Sequence, residues 1–410
     1  MIVGDDVQMM LKKITEAKQK PGYALPNYFY QSDVVYQSDL DKVVFRSWLY
    51  ACHVSEIPEK GDFSTVKIDK TSIIIVRDKQ GDINAMINSC RHRGSVVCVE
   101  EKGNAKSFIC PYHAWVYDTK GDLIGSREMP GDFDASKYSL KKVKMHIVEG
   151  MVFINCDPGA ADFAHSMNIM KPFLEPYDLP NAKVAAQISY VMDANWKLVF
   201  ENYLECYHCA PSHQEFARSH SLKERDDKVE AINASMRQRT VEDLGMDKSF
   251  VESLYLYHDD SPARGCDISH SRYALFEGYQ TGSMNGKPVA PLMGDFKEYD
   301  GGAGDIQLGT LTYMLNYPDH CILYRFLPLA QGKSECKIVW FVKGDAVEGK
   351  DYDVDRVINL WDHTTKEDKN IIMNNSEGVN SRFYEPGPYN PYFEDLCISF
   401  VDWYLGVLEE

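Results

Sequence analysis

Cys90-Arg91-His92-Arg93-Gly94 and Cys110-Pro111-Tyr112-His113-Ala114-Trp115, with 17 residues between His92 and Cys110, decide how this chain is read. The first stretch is C-x-H and the second C-x-x-H. Two thiolates and two imidazoles at this spacing suit a [2Fe–2S] cluster in which cysteines hold one iron and histidines the other. Neutral imidazoles in place of two thiolates raise the reduction potential well above that of an all-cysteine cluster. The chain therefore handles single electrons. Gly94 and Pro111 suit tight turns that fold each loop around the cluster. A Cys2His2 zinc site is the alternative, but the C-x-H pair with a long loop fits zinc-finger spacing poorly.

Outward from these loops the pattern is short and β-rich. Apolar runs at 63–68, 72–77, 85–88, 115–117 and 151–154 predict strands, several separated by Gly-Asp turns. Residues 45–156 form a small all-β domain, and both ligand pairs fall where strands give way to loops. Before it, residues 1–44 hold a predicted helix over 7–18 and a Pro/Tyr-rich extended segment from Pro21. After it, residues 157–410 mix helices and strands. A strand is expected at 188–192 and a helix at 195–207, stopped by Ala210-Pro211. Residues 221–300 look irregular. The runs 308–316, 321–328 and 335–342 alternate like neighbouring antiparallel strands. Long helices are expected at 354–379 and 392–408.

Length and composition set bounds. A chain of 410 residues with 44% apolar and 26% charged residues is ordinary for a globular protein of two or three domains. No apolar run reaches the ~18 to 20 residues that span a bilayer. No signal peptide is evident, so cytoplasmic residence is expected. The net charge of −17 argues against nucleic acid or an anionic membrane as partner. Eleven cysteines, an odd number, do not suggest a disulfide framework, and those outside the cluster read as inert packing residues. Charge is uneven: residues 45–150 carry 16 Lys+Arg against 14 Asp+Glu, and the rest 28 against 47. The cluster segment is thus an electropositive island that would steer an acidic electron carrier.

A second constellation runs Glu201-Asn202-Tyr203-Leu204-Glu205-Cys206-Tyr207-His208, then His213. On a helix Glu205 and His208 share a face at i,i+3. Past Pro211 the chain can curl back and bring His213 to the same metal. Two imidazoles and a carboxylate form the facial triad of non-haem Fe(II) oxygenases, with positions left open for O2 and substrate. The predicted helix 354–379 offers the carboxylate. Its apolar seam includes Val357, Trp361, Thr364 and Ile372, and Asp368 sits two turns beyond Trp361 on that face. Asp355, Asp362 and Glu367 point roughly 100° or more away. A carboxylate on a buried seam is costly unless paired or metal-bound, so Asp368 is the expected third ligand. A buried Asp held by hydroxyls or Arg is the other reading. Cys206 and Cys209 form a C-x-x-C, but a position late in a helix argues against redox thiol chemistry.

Together these residues resemble the oxygenase (α) component of the Rieske non-haem iron oxygenases, over nearly the whole chain. The resemblance implies an α+β chain: a Rieske [2Fe–2S] β-sandwich domain followed by a helix-grip catalytic domain with an antiparallel sheet and long helices. It implies a homotrimer, with Glu205 bridging His113 of one subunit to His208 of its neighbour. Asn202 matches a position near the iron. Tyr317-Pro318-Asp319-His320, Pro328-Leu329, Ser381-Arg382 and Pro386-Gly387-Pro388-Tyr389 are similar to the betaine demethylase branch.

The expected function is O2-dependent hydroxylation of a C–H bond of a non-aromatic substrate. A betaine-type quaternary ammonium would be N-demethylated, with monooxygenation favoured over dioxygenation. Hydroxylation of a larger aliphatic acid, a natural-product intermediate or an aromatic ring is the alternative. No flavin or ferredoxin segment is evident, so a separate reductase or ferredoxin must feed the cluster, docking on the island of Arg91, Arg93, Lys141, Lys142 and Lys144. A pure electron carrier would leave His208, His213 and the second domain unexplained. A zinc-stabilised binding protein would hold zinc instead of iron.

Overall fold

The computed structural model describes residues 4–220, 226–257 and 265–410. Leu49–His53 pairs antiparallel with Met151–Asn155, which pairs with Lys144–Val148, so both ends of the β-rich region close on one another. Between them lies a four-stranded sheet in the order Ile83–Ile87, Thr71–Arg77, Asp62–Ile68, Lys102–Asn104. A three-stranded sheet follows, Ser107–Ile109, Val116–Asp118, Leu123–Gly125. The apolar run Ile73 to Val76 is buried on both faces, which explains why it does not alternate with polar residues. Ile74 and Val76 pack with Cys90, Cys110 and Trp115. Ile73 and Ile75 face the larger core.

The second region is built on a seven-stranded antiparallel sheet. Its order is Ala182–Met192, Lys333–Lys343, Cys321–Ala330, Thr312–Asn316, Gly302–Leu308, Ile268–Ala274, Leu254–Tyr257. Alternation divides its central residues between two cores: Tyr324, Phe326 and Trp340 on one face, Leu323, Met314 and Phe341 on the other. The helices Trp196–Leu204 and Val354–Val379 pack together against the first face. Asp395–Glu409 packs on Trp196–Leu204 and docks on Gly4–Lys18 and Asp33–Lys42.

One buried carboxylate fastens this assembly. Asp39 accepts from Trp196 Nε1 (2.9 Å) and Lys197 Nζ (2.5 Å) with one oxygen and from the Tyr404 hydroxyl (2.6 Å) with the other. The Lys197 ammonium also lies 5.1 Å from the Trp196 and Tyr404 ring centres. The helix that leads to the second constellation is thereby tied to the N-terminal segment.

Four expectations need correction. The segment from Pro21 is not extended throughout: Tyr28–Gln31 and Asp33–Lys42 are helical, the latter capped by Ser32 Oγ, which accepts from Val35 N. The helix expected over 195–207 is Trp196–Leu204. Residues 308–316 are two strands, because Gly309 turns the chain at φ +80° where a Cβ would meet the Trp48 carbonyl at 2.6 Å. Within 221–300 lie the helix Asp226–Gln238 and the strands Leu254–Tyr257 and Ile268–Ala274; residues 221–225 and 258–264 are outside the described residues.

Candidate active site

The two cysteine–histidine loops are copies of one turn. Cys90 N donates to Ser95 O and Gly94 N to Cys90 O, at 2.8 and 2.9 Å. Cys110 N donates to Trp115 O and Ala114 N to Cys110 O, at 2.8 and 3.0 Å. The fifth residue of each turn is left-handed, Gly94 at φ +80° and Ala114 at φ +55°. Both sulfurs are buried, whereas His92 is exposed and His113 half-buried. The imidazole rings lie 4.6 Å apart. The four residues predicted from sequence are therefore brought together, sulfurs inward and imidazoles at the surface. This donor set fits a two-cysteine, two-histidine cluster. The Tyr117 hydroxyl lies 3.3 Å from Cys90 Sγ and accepts from Arg91 N at 3.0 Å, a partner that sequence reasoning did not single out.

The second constellation also converges. Nε2 of His208 lies 3.1 Å and Nε2 of His213 2.9 Å from Asp368 Oδ1. One ligand atom from each residue falls within 4.8 Å of the others. Asp368 stands on Val354–Val379, facing inward as its helical phase requires. The histidines flank the short helical turn Cys209–Ser212, in which Pro211 is an internal residue and not a stop.

Glu205 reaches His208 by a route other than a shared helical face. The helix ends at Leu204 and Glu205 is extended, at φ −131° and ψ 157°. Its carboxylate accepts the backbone N–H groups of Tyr207 and His208 and so stabilises a turn in place of another helical turn. Its Oε1 lies 2.5 Å from His208 Nδ1. Glu367 does the same for His213, with Oε2 2.8 Å from Nδ1. Sequence reasoning turned Glu367 away from this face; the flexible side chain reaches back to the ring. A carboxylate on each Nδ1 presents each Nε2 to a metal, the outer arrangement that ligating histidines need. Asn202 Nδ2 lies 3.3 Å from His208 Nε2, so this residue is beside the triad.

The electrostatics fit a cation between the three donors. Burial alone would lower the His208 imidazole, but hydrogen bonds to Asp368 and Glu205 raise it to about 9. His213 is raised against burial by Asp368 and Glu367. Burial would raise the Asp368 carboxyl, and the two imidazoles bring it down instead.

The early helix end also changes the reading of Cys206 and Cys209. They stand at the two ends of the turn carrying His208, with Cα atoms 4.9 Å apart, and are joined as a disulfide. They are thus not free packing residues, and neither lies late in a helix: Cys206 precedes the turn and Cys209 is the first residue of Cys209–Ser212. The other nine cysteines are unpaired.

A cavity of about 590 Å³ opens on the triad. One wall is the sheet, whose alternation turns Ser271, Asp305, Gln307, Tyr313 and Tyr324 to the same side. Tyr203 and Trp361 complete an aromatic wall, with ring centres of Tyr203 and Tyr313 4.8 Å apart and of Tyr203 and Tyr324 5.1 Å apart.

Comparison with known families covers both regions of the chain. Residues 47–143 match the Rieske [2Fe-2S] domain, and residues 179–410 match the ring hydroxylating alpha subunit (catalytic domain). The chain belongs to the Rieske non-haem iron oxygenases. The oxygenase is 35% identical over 386 residues to the glycine betaine monooxygenase oxygenase subunit of Pseudomonas aeruginosa, covering 93% of this chain and 88% of that one. It is 35% identical over 211 residues to the carnitine monooxygenase oxygenase subunit of Escherichia coli, covering 50% and 55%. Its fold matches the quaternary ammonium Rieske monooxygenase CntA with a TM-score of 0.71 at 20% identity, over 97% of this chain and 98% of the other. The oxygenase uses a Rieske cluster and a mononuclear iron with O2, and takes its electrons from a separate reductase. Among the described residues no helix is long and apolar enough to cross a membrane.

Proposed function

We propose that this oxygenase hydroxylates an N-methyl group of a quaternary ammonium compound and thereby demethylates it. The supporting observation is the aromatic wall of Tyr203, Tyr313, Tyr324 and Trp361 in the cavity that opens on His208, His213 and Asp368. Aromatic faces attract a desolvated alkylammonium through their quadrupoles, and they place its methyl carbons beside the triad. The relatives named for glycine betaine and carnitine point the same way.

In this reading Cys90, His92, Cys110 and His113 hold the cluster, and His208, His213 and Asp368 hold the iron, which when bound supplies O2 activation. Glu205 and Glu367 fix the imidazoles, and Asn202 donates toward the triad. The reaction balances as follows: the quaternary ammonium, one O2, two electrons and two protons give the N-hydroxymethyl ammonium and one water. One methyl C–H bond breaks and one C–O bond forms. The N-hydroxymethyl product then loses formaldehyde and a proton to leave the tertiary amine. The cavity's task is to hold the cation and exclude water until the C–H bond has reacted.

The domain division that goes with this reading is 45–156 for the cluster domain and 157–410 for the iron domain. The working unit is a homotrimer in which each cluster serves the neighbour's iron. Supporting this, the cluster tip exposes Tyr112 and Ile109 near His113, and the Glu205 turn exposes Tyr207 against Phe393. Two different apolar patches of this kind suit a head-to-tail ring. The reductase docks on the exposed Arg91, Arg93, Lys141, Lys142 and Lys144. Seven unpaired cysteines, besides the two that hold the cluster, suit the cytoplasm.

The test is reductase-driven O2 uptake with a panel of trimethylammonium compounds, aliphatic acids and aromatics. Uptake coupled to formaldehyde with trimethylammonium compounds supports the proposal. Product formation from acids or aromatics alone refutes it.

A further inference from the structure

The charge of the cavity wall narrows the substrate class. Resting on the demethylation reading above, we infer that the oxygenase selects quaternary ammonium compounds that are cations overall, with a neutral group at the far end, and discriminates against zwitterionic betaines, with Asp305 as the specificity-determining counter-ion.

Five carboxylates line the cavity, from Glu205, Asp267, Asp305, Asp368 and Asp395, and no Lys or Arg does among the described residues. Four of the five have another task or place. Glu205 is engaged with His208, Asp368 with both imidazoles, and Asp267 accepts from Thr310 Oγ1 at 2.5 Å. Asp395 is exposed at the start of the helix Asp395–Glu409. Asp305 differs. It sits mid-strand in Gly302–Leu308, opposite Ser271 on one side and Leu315 on the other, with its side chain toward the cavity. No described residue makes a hydrogen bond or ion pair to its carboxylate.

Among the described residues, the surroundings of Asp305 lack a compensating cation. After burial, its charge is the largest contributor raising the hydroxyls of Tyr203 and Tyr273 above the usual phenol range, and it adds to the rise at Tyr313 and Tyr317. It is therefore set among aromatic rings. Burial pushes its own carboxyl up to about 7. A carboxylate kept in an aromatic enclosure with no partner costs stability unless a ligand supplies the opposite charge. The positive charge of the bound iron does not supply it, since Asp368 and Glu205 already stand at that end.

The same wall rejects an anion. A betaine's own carboxylate would enter a cavity where it meets Asp305 and where, among the described residues away from the triad, it finds only neutral donors such as Gln307, Ser269 and Ser271. Like charges in a desolvated site are a strong element of discrimination. Those neutral donors suit a hydroxyl, ester or amide instead.

Two matched pairs test this: choline against glycine betaine, and carnitine methyl ester against carnitine. Binding is measured by calorimetry on the anaerobic, iron-loaded protein, and kcat/KM by formaldehyde release. The expected result is a preference of roughly tenfold or more for the cation in each pair, set by one ion pair in a site of low dielectric. Asp305→Asn abolishes that preference by weakening the cation and not the zwitterion. Asp305→Glu retains part of it and controls for folding. Demethylation of the zwitterion at or above the rate of its cationic partner overturns this inference and leaves the demethylation reading intact. So does an unchanged preference in a folded Asp305→Asn protein. If neither member of either pair binds or is demethylated by iron-loaded wild type, both readings fall.

Discussion

Glu205 Oε1 lies 2.5 Å from His208 Nδ1, and the opposite ring nitrogen lies 3.1 Å from Asp368. One carboxylate therefore sets the tautomer and tilt of an imidazole whose other nitrogen belongs to the triad. Glu205→Gln keeps the shape and removes the charge. The expected outcome is a fall in turnover of about 10- to 100-fold, typical for partners that orient a ligating histidine. Iron content and substrate affinity should change much less. Steady-state kinetics beside metal analysis checks this, and equal losses of iron and activity would contradict it.

Among the described residues Asp368 is the one carboxylate facing both Nε2 atoms. Asp368→Ala should release the mononuclear iron and spare the cluster. Analysis should find about two irons with two sulfides per chain, against about three with two in the parent protein. The visible spectrum of the cluster should persist. Loss of sulfide as well would mean that the two metal centres do not fold independently.

Tyr117 places its hydroxyl 3.3 Å from the sulfur of Cys90. A hydrogen bond to a ligand sulfur stabilises the reduced cluster. Tyr117→Phe should lower the reduction potential by on the order of 60 mV, the one-electron equivalent of about 1.4 kcal/mol. Redox titration of the cluster reads this directly. An unchanged potential would show that the hydroxyl serves only Arg91 N.

The raised imidazole of His208 makes a prediction about the iron-free protein. Its folded value of about 9 lies above the ordinary value. The protonated ring thus contributes stability that is fully present below pH of about 6.5 and is lost as pH rises through about 9. The difference in Tm between the iron-free parent and a His208→Gln variant should therefore shrink from pH 6 to pH 10, in roughly that window. With iron bound the ring is neutral throughout, and the pH dependence of that difference should vanish. A difference that grows with pH would contradict the assignment.

How much of this was legible depends on which force decided each feature. Asp368 was legible because one helix, Val354–Val379, carries an uninterrupted apolar seam and its period fixes the phase. Glu367 was not, because side-chain reach and not helical phase brings it to His213. The convergence of Cys90, His92, Cys110 and His113 was legible from spacing alone. The end of the helix at Leu204 was not, because it is decided by backbone N–H groups that Glu205 satisfies. That miss also hid the pairing of Cys206 with Cys209. The helix Asp226–Gln238 had a signal that went unread: Val229, Ile232 and Met236 recur at helical spacing amid charge. Asp305 gave no signal, since a single acid in an alternating strand acquires meaning only when the sheet shows which side it faces.

The central claim is that an N-methyl ammonium is hydroxylated beside His208, His213 and Asp368. The most direct measurement is a single turnover of the fully reduced, iron-loaded protein with O2 and choline, assaying formaldehyde and product mass together. The account predicts formaldehyde equal to the active sites and a product that has lost one methyl group, absent in Asp368→Ala. Oxygen retained in a product that keeps all its methyl groups, with no formaldehyde, would contradict it.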